Sequence, residues 1–156
     1  MQYSKQKLLL DINIVLDYIG RRDVGYEDAR LLMLGGLVGE FSLWITSSQA
    51  TDIVYILTHG GRKTEVSEVL ESLRTMRRYV NIYAVTDHDI DAMLATTWPD
   101  PEDALLSEAA FQLKADAIIT RDADFPGRDA INVFDCAGFF EWIEEEYGVS
   151  YAEVDV

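Results

Sequence analysis

Short apolar runs alternate along this chain with longer stretches of helical spacing, and that alternation restricts the fold more than any other feature. Lys7-Leu8-Leu9-Leu10 reads as a buried strand, and Ile12, Val15, Leu16 and Ile19 then share one face of a helix closed by Gly20. Leu31, Leu34 and Val38 space a second helix over 26–38, with Gly35-Gly36 weakening its latter half. Residues 41–46 form a second strand, and Ser47 or Ser48 opens a helix that runs to His59 before Gly60-Gly61. The spacing continues with a helix over 63–78, a strand over 80–85 and a helix over 88–95 capped by Thr86-Asp87. Asp100-Pro101 opens the next helix, which buries Leu106, Ala109, Ala110 and Leu113. Strands over 117–120 and 131–134 follow, and Asp135 caps a last helix ended by Gly148. Such an order predicts an α/β fold with a mainly parallel sheet of about five strands, helices on both faces and right-handed crossovers.

With 156 residues and 49% hydrophobic content, one domain with a real core is expected over 1–149, followed by an acidic tail over 150–156. The start is polar and the apolar run after it stops at Asp11, too short for a signal core or a membrane span, so a cytoplasmic protein is expected. The single cysteine, Cys136, precedes an aromatic pair in a helix and reads as a buried packing residue. Net charge is −15, which repels a polyanion and argues against nonspecific coating of nucleic acid. It leaves open an enzyme acting on phosphodiesters, because an acidic site that loads divalent ions becomes favourable to phosphate.

Four aspartates fall where a parallel sheet binds ligands, at the carboxyl ends of its strands. Asp11 ends the first strand, Asp122 follows the fourth, and Asp52 and Asp103 lie in early turns of helices. Clustered carboxylates repel one another unless a cation neutralises them or some hold protons. Magnesium or manganese, with oxygen ligands and several retained waters, suits such a set. A plainer explanation exists for Asp11, Asp100, Asp103 and Asp135, since an aspartate at a helix start accepts backbone N–H groups. Asp52 escapes it, standing inside a helical turn beside Ile53, Ile56 and Leu57.

Asp11-Ile12-Asn13-Ile14-Val15-Leu16-Asp17 resembles the opening motif of the PIN domain. Thr51-Asp52-Ile53-Val54-Tyr55-Ile56-Leu57, Asp100-Pro101-Glu102-Asp103-Ala104 and Thr120-Arg121-Asp122-Ala123-Asp124-Phe125 resemble later motifs of that family, in the same order. The resemblance implies a three-layer α/β/α sandwich, an acidic site for Mg2+ or Mn2+, and endoribonuclease activity like that of VapC toxins from toxin–antitoxin pairs. It assigns the acids in order to Asp11, Asp52, Asp103 and Asp122, with Asp124 as a supplementary or substitute fourth. Asp11, Asp103, Asp122 and Asp124 would hold metal, Asp52 would complete the pocket, and Asn13 and Thr120 would orient ligands. It further implies an RNA substrate, a cognate antitoxin and a homodimer, with no membrane partner. Asp52 departs from the glutamate common at the second position, and its shorter reach suggests a contact through water.

Arg121 adjoins the acids and could hold the scissile phosphate, against the alternative of a salt bridge to a neighbouring carboxylate. Arg74, Arg77 and Arg78 complement a helix C-terminus more simply than they form an RNA patch. His59 and His88 lack metal-ligand spacing and read as surface residues. Trp44, Tyr55, Phe139, Phe140 and Trp142 read as core or dimer contacts rather than base-stacking platforms. Two rivals remain at this stage: a noncatalytic PIN-like interaction module, and an aspartyl-nucleophile phosphatase. The latter would want an acid where Asn13 stands and a lysine near Arg121.

Overall fold

A computed structural model describes residues 4–128 and 130–151. Five parallel strands form one sheet in the order β3-β2-β1-β4-β5, with β1 (Gln6–Leu10) at the centre, β2 (Phe41–Thr46) and β3 (Val80–Tyr83) to one side, and β4 (Ala117–Ile119) and β5 (Asn132–Phe134) to the other. Leu8 pairs with Leu43 and Ala117, and Leu9 with Trp44 and Ile118. Side chains alternate across a strand, so the Leu8-Leu9-Leu10 run serves two cores at once. Leu8 and Leu10 join Leu43, Ile45 and Ile119 beneath α1 (Ile12–Ile19), α2 (Tyr26–Leu37) and α7 (Cys136–Tyr147). Leu9 joins Ile118 on the opposite face, under Leu106, Ala109 and Ala110 of α6 (Pro101–Leu113). The three-layer α/β/α sandwich expected from the sequence is the fold observed, with a sheet that is entirely parallel.

Three further helices complete it: α3 (Ser47–Leu57), α4 (Lys63–Met76) and α5 (Asp87–Ala95). Several ends differ from the sequence expectation for identifiable reasons. β3 stops at Tyr83 instead of Val85, because the Val85 N–H leaves the ladder and donates to Ser47 Oγ at 3.0 Å. α3 stops at Leu57, where Thr58 Oγ1 donates back to the Val54 carbonyl at 2.6 Å and His59 takes a φ of 51°. α4 stops at Met76 instead of Arg78, since the Arg78 N–H bonds three residues back to the Thr75 carbonyl and tightens the final turn. α2 keeps its helix through Gly35-Gly36, and the glycines let it lie on the sheet: a Cβ at Gly35 would stand 2.4 Å from the Phe41 ring, and one at Gly36 2.4 Å from Leu43.

Cys136 is buried as expected, and burial first, then the charges of Asp28, Asp135 and Asp17, push its thiol up to about 12, which disfavours the reactive thiolate. Phe139 is fully buried and edge-on to Phe41 at 5.1 Å. Tyr55 departs from the core reading, being 64% exposed, and Ile56 beside it is also exposed. Of the expected tail 150–156, Tyr151 packs its ring 5.5 Å from both Phe41 and Phe140; residues 152–156 lie outside the described residues. Among the described residues no helix is long and apolar enough to cross a membrane.

Candidate functional site

Asp11 leaves β1 with its own N–H still in the ladder, donating to the Ile119 carbonyl of β4 at 2.9 Å. The sheet thus dictates where this carboxylate stands. Its Oδ1 accepts the Ile12 N–H at 2.7 Å and caps α1. Its Oδ2 accepts Thr120 Oγ1 at 2.7 Å and Asn13 Nδ2 at 3.3 Å. Asn13 Oδ1 in turn accepts the Arg121 N–H at 3.2 Å, and Thr120 Oγ1 accepts the Asp122 N–H at 3.0 Å. Asn13 and Thr120 therefore fasten the start of α1 to the loop after β4, with Asp11 held between them.

That loop carries Asp122, whose Oδ1 accepts the Asp124 N–H at 2.9 Å, and Phe125 plugs its far end into the second core. The turn holds Asp122 in place, while Asp124 is exposed. On α6, Asp100 is the N-cap, accepting the Glu102 and Asp103 N–H groups at 2.9 and 3.3 Å. With Asp100 serving the helix end, the Asp103 carboxylate is released from the capping role that the sequence left open for it.

The electrostatics bind these residues into one group. Asp103 is pushed up to about 6, by burial first and then by the charges of Asp100, Asp11, Asp122 and Glu102. Asp11 is raised by burial against the lowering effect of its Thr120 and Ile12 hydrogen bonds, with Asp122 and Asp100 adding to the rise. Glu102 is raised by burial and by Asp100, Asp52 and Asp11. A cavity of about 160 Å³ opens against Asp11, Asp52 and Glu102, walled by Ile12, Leu105 and Leu106. Asp52 is exposed on α3 and reaches the group at this cavity. Glu102 was no candidate from sequence; its place two residues after a proline-led helix start beside Asp100 is the signal that could have found it.

Arg121 is engaged in an ion pair with a carboxylate of α1. Its guanidinium is held by Asp17 of α1, with Nη2 donating to Oδ1 at 3.0 Å and Nε donating to Oδ2. The sequence alternative of a salt bridge is the one observed, but to an acid that sequence reading passed over. Asp17 is 1% exposed, a charged residue inside an otherwise apolar helix face.

What the group can do chemically follows from its donors, which are carboxylate oxygens crowded without a compensating cation in the interactions just described. Among the described residues no three His, Cys, Asp or Glu side chains close into a ready ligand set. The open arrangement suits magnesium or manganese, which need only one or two carboxylates and keep waters on the remaining positions. It does not suit zinc, for which four closed nitrogen or sulfur ligands are usual in a structural site.

The chain has a counterpart among known proteins: residues 7–124 match the PIN domain family. The chain belongs to that family. Its structure is similar to a toxin–antitoxin complex from Klebsiella pneumoniae, at 18% identity and a TM-score of 0.57, covering 80% of this chain and 94% of that one. It is similar also to VapBC2 from Rickettsia felis bound to a DNA fragment from their promoter, at 14% identity and a TM-score of 0.56, covering 81% and 96%. These likenesses establish a shared fold. No curated protein sequence matches the chain.

Proposed function

We propose that this chain is an endoribonuclease that hydrolyses RNA phosphodiester bonds with Mg2+ or Mn2+, and that it is the toxin of a toxin–antitoxin pair. The observation that carries the reading is the gathering of carboxylates at the end of β1, where Asp11, Asp52 and Glu102 line one cavity and Asp103 is pushed up to about 6 by burial first and then by the charges of Asp100, Asp11, Asp122 and Glu102. Asp11, Asp103 and Asp122 would hold the ion, with Asp124 in reserve on the same turn. A divalent ion bound there stabilises the charge that builds on the phosphate and on the leaving 3′ oxygen. Asn13 and Thr120 keep Asp11 in one orientation, so the carboxylate need not reorganise during the reaction. Asp52, at the cavity wall, would accept a hydrogen bond and then the proton from the attacking water, turning the water oxygen toward phosphorus.

Similarity to a toxin–antitoxin complex and to VapBC2 supports an antitoxin partner. A net charge of −15 favours a basic segment on that partner, and a homodimer in the cytoplasm completes the reading. The aspartyl-phosphatase rival loses its ground, since Arg121 is committed to Asp17 and Asn13 to Asp11. The test compares the native chain with Asp11→Asn/Asp103→Asn, measuring thermal stability and cleavage of a mixed RNA panel with and without Mn2+. A metal-dependent rise in stability and cleavage only in the native chain are expected. Absence of both from the native chain overturns the proposal, and binding without cleavage marks an interaction module instead.

A further inference from the structure

Asp17 has no part in the chemistry above, yet it is almost wholly buried and its carboxylate is spent on a single guanidinium. That guanidinium belongs to Arg121, which lies between Thr120, the donor to Asp11, and Asp122. We infer that Asp17 and Arg121 form a positioning clamp, which holds the loop after β4 against α1 and thereby sets the place of Asp122 relative to Asp11. The inference rests on the metal-site reading of the preceding section.

Beside a long bond from Asn13 Nδ2 to Thr120 Oγ1 at 3.4 Å, three ties join this loop to α1 in chain order: Thr120 Oγ1 to Asp11, the Arg121 N–H to Asn13, and the Arg121 guanidinium to Asp17. The first two are single bonds at a rim partly open to water. The third is a two-pronged ion pair whose acid is shielded from solvent, the geometry in which Arg and carboxylate are most strictly oriented. One residue further on, the hydrogen bonds of Asp122 among the described residues all stay within the loop: its N–H donates to the Thr120 hydroxyl, its Oδ1 accepts the Asp124 N–H and its carbonyl accepts the Phe125 N–H at 3.2 Å. Without the third tie the loop hinges at Thr120, and Asp122 swings with it.

Gly25 belongs to the same device. A Cβ at this position would lie 2.1 Å from Asp17 Oδ2, so the residue before α2 must be glycine for the carboxylate to stay where Arg121 meets it. A physical chain thus runs from the α1–α2 connection through Gly25, Asp17 and Arg121 to Asp122.

The test uses the full chain with Asp17→Asn, Arg121→Lys and Gly25→Ala. Arg121→Lys keeps the charge and loses the fork, so it remains informative if a neutral buried Asn impairs folding. Two quantities are read beside thermal stability: hydrogen exchange of the Arg121 and Asp124 amides in the metal-free protein, and Mn2+ affinity by calorimetry. A clamp predicts that all three variants lose protection at these amides and bind Mn2+ about 10–100-fold more weakly, the range usual for residues that orient metal ligands. Asp17→Asn/Arg121→Lys should be no worse than Asp17→Asn alone, because one interaction is removed in both. Lower stability with unchanged amide protection and unchanged Mn2+ affinity would make the pair ordinary fold support and overturn the inference. Loss of protection without any change in Mn2+ affinity overturns it as well. If the native chain binds no Mn2+, the metal reading falls, and the amide protection alone decides whether the pair holds the loop.

Discussion

Helix α6 carries acids in two contrasting settings. In its first turn the Asp103 carboxylate accepts no hydrogen bond among the described residues, and burial together with Asp100, Asp11, Asp122 and Glu102 pushes it up to about 6. Five residues later, where α6 packs against α5, Glu108 accepts Gln112 at 2.9 Å and Arg128 at 2.9 Å, and these bonds hold its carboxyl below the usual range. Asp89 of α5 is fully buried in the same contact, and burial works to raise it. It is nevertheless lowered, because its Oδ2 gathers the Thr86 N–H at 2.8 Å, the Tyr83 hydroxyl at 2.8 Å and the Thr86 hydroxyl at 3.0 Å. Acidic density is therefore a poor guide to a site. Where α5 and α6 pack, Glu108 and Asp89 are given donors and serve the fold, whereas Asp103, given only other carboxylates, is placed at a cost that folding alone does not recover.

The largest effect should come from breaking the first setting. Asp11→Asn/Asp103→Asn is expected to lower RNA cleavage by about 10³-fold, as the loss of several kcal/mol of metal-borne stabilisation requires, while thermal stability without metal stays equal or rises. A fall in stability of the metal-free double variant would erase the contrast. Next, Asp89→Ala takes the acceptor from the partly buried Tyr83 hydroxyl and the Thr86 N–H and removes a capping box, so chemical denaturation should show a loss of about 1–2 kcal/mol. Mn2+ affinity should not follow it.

The pH dependence separates the settings in a third way. Asp103 binds its proton more tightly in the folded chain than at its ordinary value of 3.8, so between about pH 4 and 6 the folded state holds more protons than the unfolded one. Stability from this group is fully present below pH 4 and is lost as pH rises through about 6. Melting of the metal-free protein between pH 4 and 7 should show this downward contribution when compared with Asp103→Asn, which lacks it, and saturating Mn2+ should remove the difference. The smallest effect is expected from Glu108→Gln, whose pair with the partly exposed Arg128 should cost under about 1 kcal/mol in the same denaturation assay.

The same contrast explains what was legible in the sequence. Strand and helix periodicity is a local signal, and it placed β1, β2, β4 and the long helices because each buries a face that its own residues define. Strand and helix ends were less legible where distant groups decide them, as Ser47 does when it draws the Val85 N–H out of β3. Asp11 and Asp122 were legible because they adjoin strands whose register brings them together. Glu102 was hidden because its significance depends on Asp52, a residue of another helix. Asp17 was hidden because its partner lies 104 residues away in the chain. No spacing rule announces an ion pair of that kind.

The strand order has a last consequence, one of timing. β1 lies between β2, which is made early, and β4, which is made late, so the carboxyl end of β1 is bounded by residues from both ends of the chain. At about 5–20 residues per second of synthesis, Asp11 and Asp52 emerge well before Asp103 and Asp122. A nascent chain halted before β4 can pair β1 with β2 and β2 with β3, but it lacks the strand that brings Thr120 and Asp122 to Asp11. The acidic centre is thus incomplete until β4 and the loop after it have been made.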